Sequence, residues 1–292
     1  GDKDTVVVYI GDIFNSMTPY MTTANSDQAV FDQVYETLTV TKDDGTVAPC
    51  LAKSWKMSDD SLEYTFQLEE GVKFHNGEVM TADDVVYSFE QYIANPAKNN
   101  FVSMIDKVEM VDANTVKVTL NKVTPLFLVY INELPILNKK FVEEHNGNIS
   151  DVACGTGPYK LTSIDLATSA MLERNDDYRL APAAIEKVEL RYVGDRSTAS
   201  VQLETGDLDI MSIDPSQLVS FENNDKFTVE KVQTLKTALL AINTTVAPLD
   251  NKLVRQAMTY AVDKQSIITI AYENCAVPAR LQANDTNCFG VD

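Results

Sequence analysis

Apolar and polar positions along the N-terminal part of the chain predict a strand, a loop and a helix. The segment from Thr5 to Ile10 is β-branched and apolar enough for a buried strand. The next stretch, residues 11–25, has no clear period and is predicted to be a loop at the strand's carboxyl end. Asp27 offers an N-cap for a helix that runs to about Leu38, with apolar residues at helical spacing.

Residues 41 to about 138 have the pattern of a mixed α+β unit. Leu62 to Leu68 alternates apolar and polar residues, which predicts a half-buried strand, and residues 114–120 repeat the pattern. Thr81, with Asp84 three positions later, resembles a capping box that begins a helix over residues 82–92. A further helix is predicted from about residue 125.

From Gly155 onwards the pattern changes to that of an α/β unit. Strands are predicted at residues 159–161, 170–173, 188–193, 208–211, 227–232 and 238–242. Ser197 is expected to cap a helix that Gly206 ends, which gives a strand–helix–strand unit. A second short helix is predicted from Pro215 to Phe221.

Charge and hydropathy exclude several classes of protein. The 292 residues carry a net charge of −19 and a pI of about 4.4, which disfavours nucleic acid and anionic membrane surfaces as partners. No run of 18 apolar residues predicts a membrane-spanning helix. The N-terminus lacks the basic and apolar regions of a signal peptide, so we expect none in this chain.

Catalytic and metal-binding patterns are weak. The chain has two histidines, and neither His75, in a predicted hairpin turn, nor His145, at a polar helix end, lies in a nucleophile motif. Paired carboxylates such as Asp59-Asp60 fit solvated turns and helix starts. We therefore expect no catalytic residue, no cofactor and no metal ligand set, and the chain is predicted not to be an enzyme.

The four cysteines could form disulfides if the protein is exported. Four cysteines allow three connectivities, and we favour Cys275–Cys288, which closes a short polar loop, with Cys50–Cys154 as its complement. The alternative is that these residues are buried free thiols, which pack as small apolar side chains.

Three blocks between Val47 and Tyr92 have fixed spacings: P-x-L-A-x-S-W, then T-F-x-L-x-x-G-V-K-F-H-x-G, then T-A-x-D-V-x-x-S. Two later blocks are G-T-G-P-Y-K from Gly155 and V-R-Q-A-x-x-Y-A-x-D-K from Val254. Together they resemble family 5 extracellular solute-binding proteins, the ABC-importer receptors for oligopeptides, dipeptides, nickel complexes or some oligosaccharides.

The resemblance implies an α/β fold: a class II periplasmic-binding-protein-like lobe with an inserted α+β domain. Residues 1–40 and 139–245 would form the first lobe, and residues 41–138 the inserted domain. Residues 246–292 would begin a second, ligand-closing lobe that is largely missing, so we expect weak solute binding by this chain alone.

Loops at the carboxyl ends of strands usually hold the ligand in α/β lobes, and these loops supply our candidate contacts. The candidate ligand-binding residues are Phe14, Asn15, Met17, Tyr20, Ser212, Ile213, Asp214, Asn243 and Thr244. Peptide receptors of the family use backbone groups in this region to hold the ligand as an added strand.

As function, the resemblance implies a non-catalytic, monomeric receptor that captures an oligopeptide between two hinged lobes and delivers it to membrane permease subunits. It would be lipid-anchored on the extracellular face of the cytoplasmic membrane, or periplasmic. The alternatives are a receptor for an oligosaccharide or chelated nickel, and a receptor-like interaction or sensing module without a transport role.

Overall fold

A computed structural model of the chain describes residues 4–42, 44–232 and 238–278. The strands in these ranges are β1 Thr5–Ile10, β2 Thr39–Thr41, β3 Val47–Pro49, β4 Ala52–Met57, β5 Glu63–Leu68, β6 Ile105–Asp112, β7 Thr115–Leu120, β8 Tyr159–Asp165, β9 Ser169–Arg174 and β10 Lys187–Tyr192. The helices there are α1 Asn25–Val34, α2 Ala82–Ala94, α3 Asn99–Val102, α4 Phe127–Tyr130, α5 Lys139–Glu144, α6 Arg196–Thr205, α7 Leu218–Glu222, α8 Lys252–Ala261 and α9 Lys264–Ala271.

The first sheet has the strand order β1-β10-β9-β8. β1 pairs in parallel with β10, while β10, β9 and β8 are antiparallel neighbours. The carboxyl ends of β1 and β10 therefore lie side by side, with Ile10 opposite Tyr192. The loop that follows β1 leaves the sheet at this edge, as the sequence predicted.

The second sheet has the order β4-β5-β7-β6 and is antiparallel throughout. Along β5 the alternation has the predicted effect, because Tyr64, Phe66 and Leu68 are buried while the residues between them are partly exposed. The lone tryptophan, Trp55, is half-buried, and its ring lies 6.4 Å from that of Phe66. β2 and β3 form a separate two-stranded pair.

Helices α1 and α2 show where local signals give the right result and where they do not. The capping box of α2 is confirmed: Asp84 Oδ2 accepts the Thr81 N–H at 2.9 Å and the Thr81 hydroxyl at 3.0 Å. α1, however, begins three residues earlier than predicted and ends four earlier. Its N-cap is Ala24, and Asp27 lies within its first turn, so the N-cap prediction for Asp27 was wrong.

One hydrophobic cluster of buried residues runs through both four-stranded sheets and their helices. It includes Phe31 from α1, Phe66 from β5, Phe89 from α2 and Leu172 from β9. The two sheets therefore share a continuous core. A smaller cluster joins Val7 and Tyr9 of β1 to Ala199 of α6 and to Leu208, which follows that helix.

The strand–helix–strand unit after β10 is present in reduced form. Gly206 ends α6 in the left-handed conformation, with a φ of 83°, as predicted. The N-cap is Asp195, whose carboxylate accepts the Thr198 N–H at 2.8 Å, and the prediction of Ser197 was two residues late. The segment over residues 208–211 contributes a single parallel bridge, Val8 with Ile210, instead of a strand.

The described residues form two compact units. One comprises residues 4–42 and 46–211, and the other comprises residues 44–45 and the described part of 212–278. The second unit contains α7, α8 and α9 and, among its described residues, no strand. The predicted strands at 227–232 and 238–242 were therefore wrong: β-branched residues need a neighbouring strand to complete their hydrogen bonds. Our division into residues 1–40 with 139–245, 41–138 and 246–292 remains a prediction.

Candidate functional site

An open depression of about 520 Å³ lies beside the loop between β1 and α1. Its lining consists of Asn15, Ser16, Met21, Thr22, Thr23, Ala24 and Ala97. The side chains are polar but uncharged, or apolar and small to medium in size. Such a lining can exchange hydrogen bonds with neutral groups and can cover apolar surface, which is the usual chemistry of a small-molecule site.

The first turn of α1 fixes the loop that forms this depression. Asp27 Oδ1 accepts the Asn15 N–H at 2.7 Å, and its Oδ2 accepts the Thr22 hydroxyl at 2.7 Å. The Ser26 hydroxyl donates to the Ile13 carbonyl at 2.7 Å. Bonds to a carboxylate are stronger than bonds between neutral groups, so this turn holds both ends of the loop.

Three of the predicted contact residues anchor the loop from beneath instead of lining the depression. Phe14, Met17 and Tyr20 are only 2%, 0% and 6% exposed. The backbone N–H of Phe14 donates to Leu166, and that of Met17 to Ser150. The prediction that these side chains present apolar faces to a ligand was wrong, because all three are buried in the hydrophobic core.

The other predicted contacts have different outcomes. Asn15 is exposed and lines the depression. Ser212, Ile213, Asp214, Asn243 and Thr244 belong to the second unit, where they are exposed or half-buried, and their contact with a ligand remains a prediction. Sequence reasoning missed Met21 to Ala24, although the threonine pair just before α1 was an available signal. Nothing local marked Ala97, which reaches the depression from the segment after α2.

His75 joins two of the sequence blocks to each other. Its backbone N–H donates to the Gly155 carbonyl at 2.9 Å, and its Nδ1 accepts the Gly155 N–H at 3.3 Å. We therefore assign the ring proton to Nε2, which donates to the Gly157 carbonyl at 3.0 Å. Burial lowers the pKa of His75 to about 4, so the ring is neutral near pH 7. Its role in this arrangement is to connect chain segments.

The glycines that His75 contacts lie against the end of α1. A Cβ atom at Gly155 would be 2.0 Å from the Val34 carbonyl oxygen, and one at Gly157 would be 2.5 Å from the Gln33 carbonyl oxygen. The Gly157 N–H donates to that Val34 oxygen at 2.9 Å. Only glycine allows so close an approach of two backbones, which explains both glycines of the G-T-G-P-Y-K block.

The cysteines in the first unit are free thiols, so the predicted Cys50–Cys154 disulfide was wrong. Cys50 lies against a half-buried ion pair, in which Arg179 Nη2 is 2.7 Å from Glu36 Oε1, and its thiol contacts Glu36 at 3.6 Å. Burial and then this carboxylate raise the pKa of Cys50 to about 11. Burial likewise raises the pKa of Cys154 to about 11. Cys288 lies outside the described residues, so the pair Cys275–Cys288 remains a prediction.

The second histidine borders a smaller depression of about 210 Å³. His145 Nδ1 lies 2.7 Å from the Phe141 carbonyl, one helical turn earlier, and the two rings are 4.2 Å apart. Among the described residues no group of three or more His, Cys, Asp or Glu side chains could hold a metal ion. Nor does any helix in those described ranges combine the length and the apolar character that a membrane span requires.

Comparisons with known proteins agree on one family. The family model described as bacterial extracellular solute-binding proteins, family 5 Middle, matches residues 46–281. The glutathione-binding protein GsiB of Pectobacterium atrosepticum is 31% identical over 288 residues, which covers 95% of this chain and 55% of that protein.

Two solved structures have the same fold over nearly the whole chain. NikZ from Campylobacter jejuni, in complex with Ni(L-His), is 30% identical with a TM-score of 0.82, and the match covers 94% of this chain and 56% of that one. The periplasmic binding protein DppA from Helicobacter pylori, in complex with the peptide STSA, is 28% identical with a TM-score of 0.80. That match covers 92% of this chain and 58% of the DppA chain. This chain therefore spans about half the length of the relatives it matches.

Proposed function

Because the chain belongs to the bacterial extracellular solute-binding proteins of family 5, we propose that it is part of a receptor that delivers a small solute to an ABC importer. The receptor binds without catalysis. It acts outside the cytoplasmic membrane, in the periplasm or on a lipid anchor, and its macromolecular partners are the permease subunits of the importer.

The proposed solute is an oligopeptide, and the uncharged polar lining of the depression carries this proposal. Peptide groups are neutral donors and acceptors, which match amide and hydroxyl side chains such as Asn15, Ser16 and Thr23. A ligand recognised mainly through charge would instead need charged partners in the wall. Two of the relatives described above bind peptides, since glutathione is a tripeptide.

The proposed mechanism is capture between two lobes. The depression supplies one wall of the site, and a second lobe covers the solute and excludes water from the hydrogen bonds. Closure is favoured only by the difference in solute affinity between the closed and open states. The permease then recognises the closed form.

A chelated metal is the second candidate, because one structural neighbour holds nickel together with L-histidine. In such a complex the amino acid supplies ligands to the metal, and the protein needs to recognise only the organic surface. The uncharged depression is compatible with that task. An oligosaccharide receptor and an interaction module without transport remain the further alternatives.

Thermal unfolding in the presence of candidate solutes tests the proposal. The probes are glutathione, the peptide STSA, cello-oligosaccharides and nickel with L-histidine, each added to the full-length gene product and to residues 1–292. A probe at 100 times its Kd stabilises the native state by about 2.7 kcal/mol, which is a measurable shift. Stabilisation by peptides alone supports the oligopeptide proposal, and stabilisation by nickel-histidine alone replaces it.

A pair of variants locates the binding site. Ala97→Trp fills the depression with a large ring from an exposed position, whereas Ala94→Trp places the same ring on the exposed surface near the end of α2, outside the lining. We expect the first variant to abolish solute-induced stabilisation and the second to retain it. If both variants respond to the solute as the wild type does, the depression is not the binding site.

A further inference from the structure

Asp27 is the only charged residue in the first turn of α1, and its carboxylate does not cap its own helix. It is fully buried, and both of its hydrogen bonds come from the preceding loop. Asp84 has the equivalent position in α2 but accepts from Thr81, the N-cap of that helix, and from the Lys139 N–H at 3.0 Å. The two carboxylates therefore share a helical position and differ in what they hold.

The loop, in turn, performs the capping that Asp27 does not. The N-cap residue, Ala24, has no side-chain oxygen, and its N–H donates to Thr22 Oγ1 at 3.1 Å. The Thr22 hydroxyl in turn donates a hydrogen bond to Asp27 Oδ2 at 2.7 Å. This chain of bonds places Thr22, Thr23 and Ala24 in one fixed arrangement along the rim of the depression.

The other carboxylate oxygen holds the opposite side of the same rim. Asn15 donates its backbone N–H to Asp27 Oδ1 at 2.7 Å, which leaves its side-chain amide free to face the depression. Ser16 follows it, with its Oγ accepting the Thr18 N–H at 3.1 Å. One rigid carboxylate therefore joins two rim segments that lie seven residues apart in the sequence.

We propose that Asp27 is the positioning residue of the solute site, an inference that rests on the proposed function. It does not touch the solute, because it is fully buried. It holds Asn15 and Thr22 at the separation that defines the depression, so the solute meets a preorganised rim. Preorganisation matters because a site that must order itself on binding loses affinity.

The requirement is specific for a carboxylate. Both oxygens of Asp27 accept, from a backbone N–H on one side and from a hydroxyl on the other. An asparagine offers one oxygen and one NH₂ group, so one of these two donors would face another donor. A buried donor left without an acceptor is costly, and the loop would move to relieve it.

The effect should remain local, because α1 and its loop have other anchors. Val30, Phe31 and Val34 fix the helix in the core, and the backbone bonds of Phe14 and Met17 fix the underside of the loop. Loss of the Asp27 hydrogen bonds should therefore increase the mobility of the rim residues 15–16 and 22–24, while the fold is retained.

The test compares Asp27→Asn and Thr22→Val with Asp84→Asn as the matched control. Amide hydrogen exchange measures protection of residues 13–24, and calorimetric titration with glutathione and with STSA measures Kd, both on the full-length gene product. We expect Asp27→Asn to lose hydrogen-exchange protection in residues 13–24. We also expect its Kd for the peptide to rise by about tenfold or more, the equivalent of one lost charged hydrogen bond. Asp84→Asn should lose stability while its Kd stays within about twofold of the wild type.

Each outcome decides the inference. Unchanged protection of residues 13–24 in Asp27→Asn overturns it, as does an equal loss of affinity in Asp84→Asn. If Asp27→Asn fails to fold, Thr22→Val decides, because it removes one hydroxyl and should loosen residues 22–24 alone. A wild-type protein that binds neither probe refutes the proposed peptide function, while hydrogen exchange still determines whether Asp27 orders the rim.

Discussion

Acidification from pH 7 to pH 4 is expected to destabilise the first unit through His75. The ring is neutral, since Nδ1 accepts from Gly155 and Nε2 donates to Gly157. Protonation of Nδ1 would place a second donor against the Gly155 N–H and a charge in a buried position. Burial is the largest cause of the lowered pKa, nearby Lys160 adds to it, and the bond to Gly157 and the charge of Glu36 oppose it.

The magnitude follows from the two pKa values of this histidine. In the unfolded chain His75 binds its proton near the ordinary value of 6.5, but in the folded protein only near pH 4. The unfolded state therefore gains protons first, and stability decreases as the pH falls from about 6.5 to 4. The loss contributed by His75 is about 3 kcal/mol when the pH is below both values.

Urea unfolding monitored by Trp55 fluorescence measures this effect, since that tryptophan is unique and half-buried in the second sheet. His75→Asn retains an oxygen that can accept from Gly155 but removes the titrating ring. The stability difference between wild type and variant should shrink by about 3 kcal/mol between pH 7 and pH 4.

Carboxylates that titrate in this range are common to both proteins and cancel in the difference. A stability difference that stays constant from pH 7 to pH 4 would contradict the assignment of a buried, neutral His75.

Three further predictions concern backbone approach, capping and thiol chemistry. Gly155→Ala is expected to destabilise the protein by about 3 kcal/mol or more in urea unfolding, because its Cβ would meet a carbonyl of α1. Gly71→Ala, with a φ of 72° and open space, should cost only about 1 kcal/mol. Thr81→Ala should cost about 1 kcal/mol through loss of the α2 capping box, measured in the same assay. Native Cys50 and Cys154, whose pKa values burial raises to about 11, should react with iodoacetamide at pH 8 far more slowly than in urea. A disulfide-linked peptide of these two cysteines in a non-reducing digest would contradict the free-thiol assignment.

Elements governed by neighbours in the sequence were predictable. The strand at Thr5 to Ile10, the alternation along β5 and the capping box of α2 each produce a pattern among residues only a few positions apart. Gly206 ends α6 for an equally local reason, the ease with which glycine adopts a positive φ. The family blocks were visible for the same reason, because their spacings are properties of the linear chain.

Features that depend on distant residues were not predictable from the pattern. Phe14 and Met17 have the side chains expected of a binding loop, yet the shared core buries them. Asp27 precedes an apolar periodic segment as an N-cap would, but its carboxylate is committed to Asn15 and Thr22. The apolar segments near residues 230 and 240 resemble strands but lack a partner strand among the described residues of their unit.

The sequence alone thus predicted the elements that depend on local signals, the family and the segment in which the depression lies. Which side chains of that segment line the depression depended on how β1, α1 and Ala97, in the segment after α2, come together. Local periodicity assigns a residue to one face of a strand or helix, but it contains no information about which face another part of the chain will cover. Packing makes that choice, because buried area and hydrogen bonds are gained only between segments brought together by the fold.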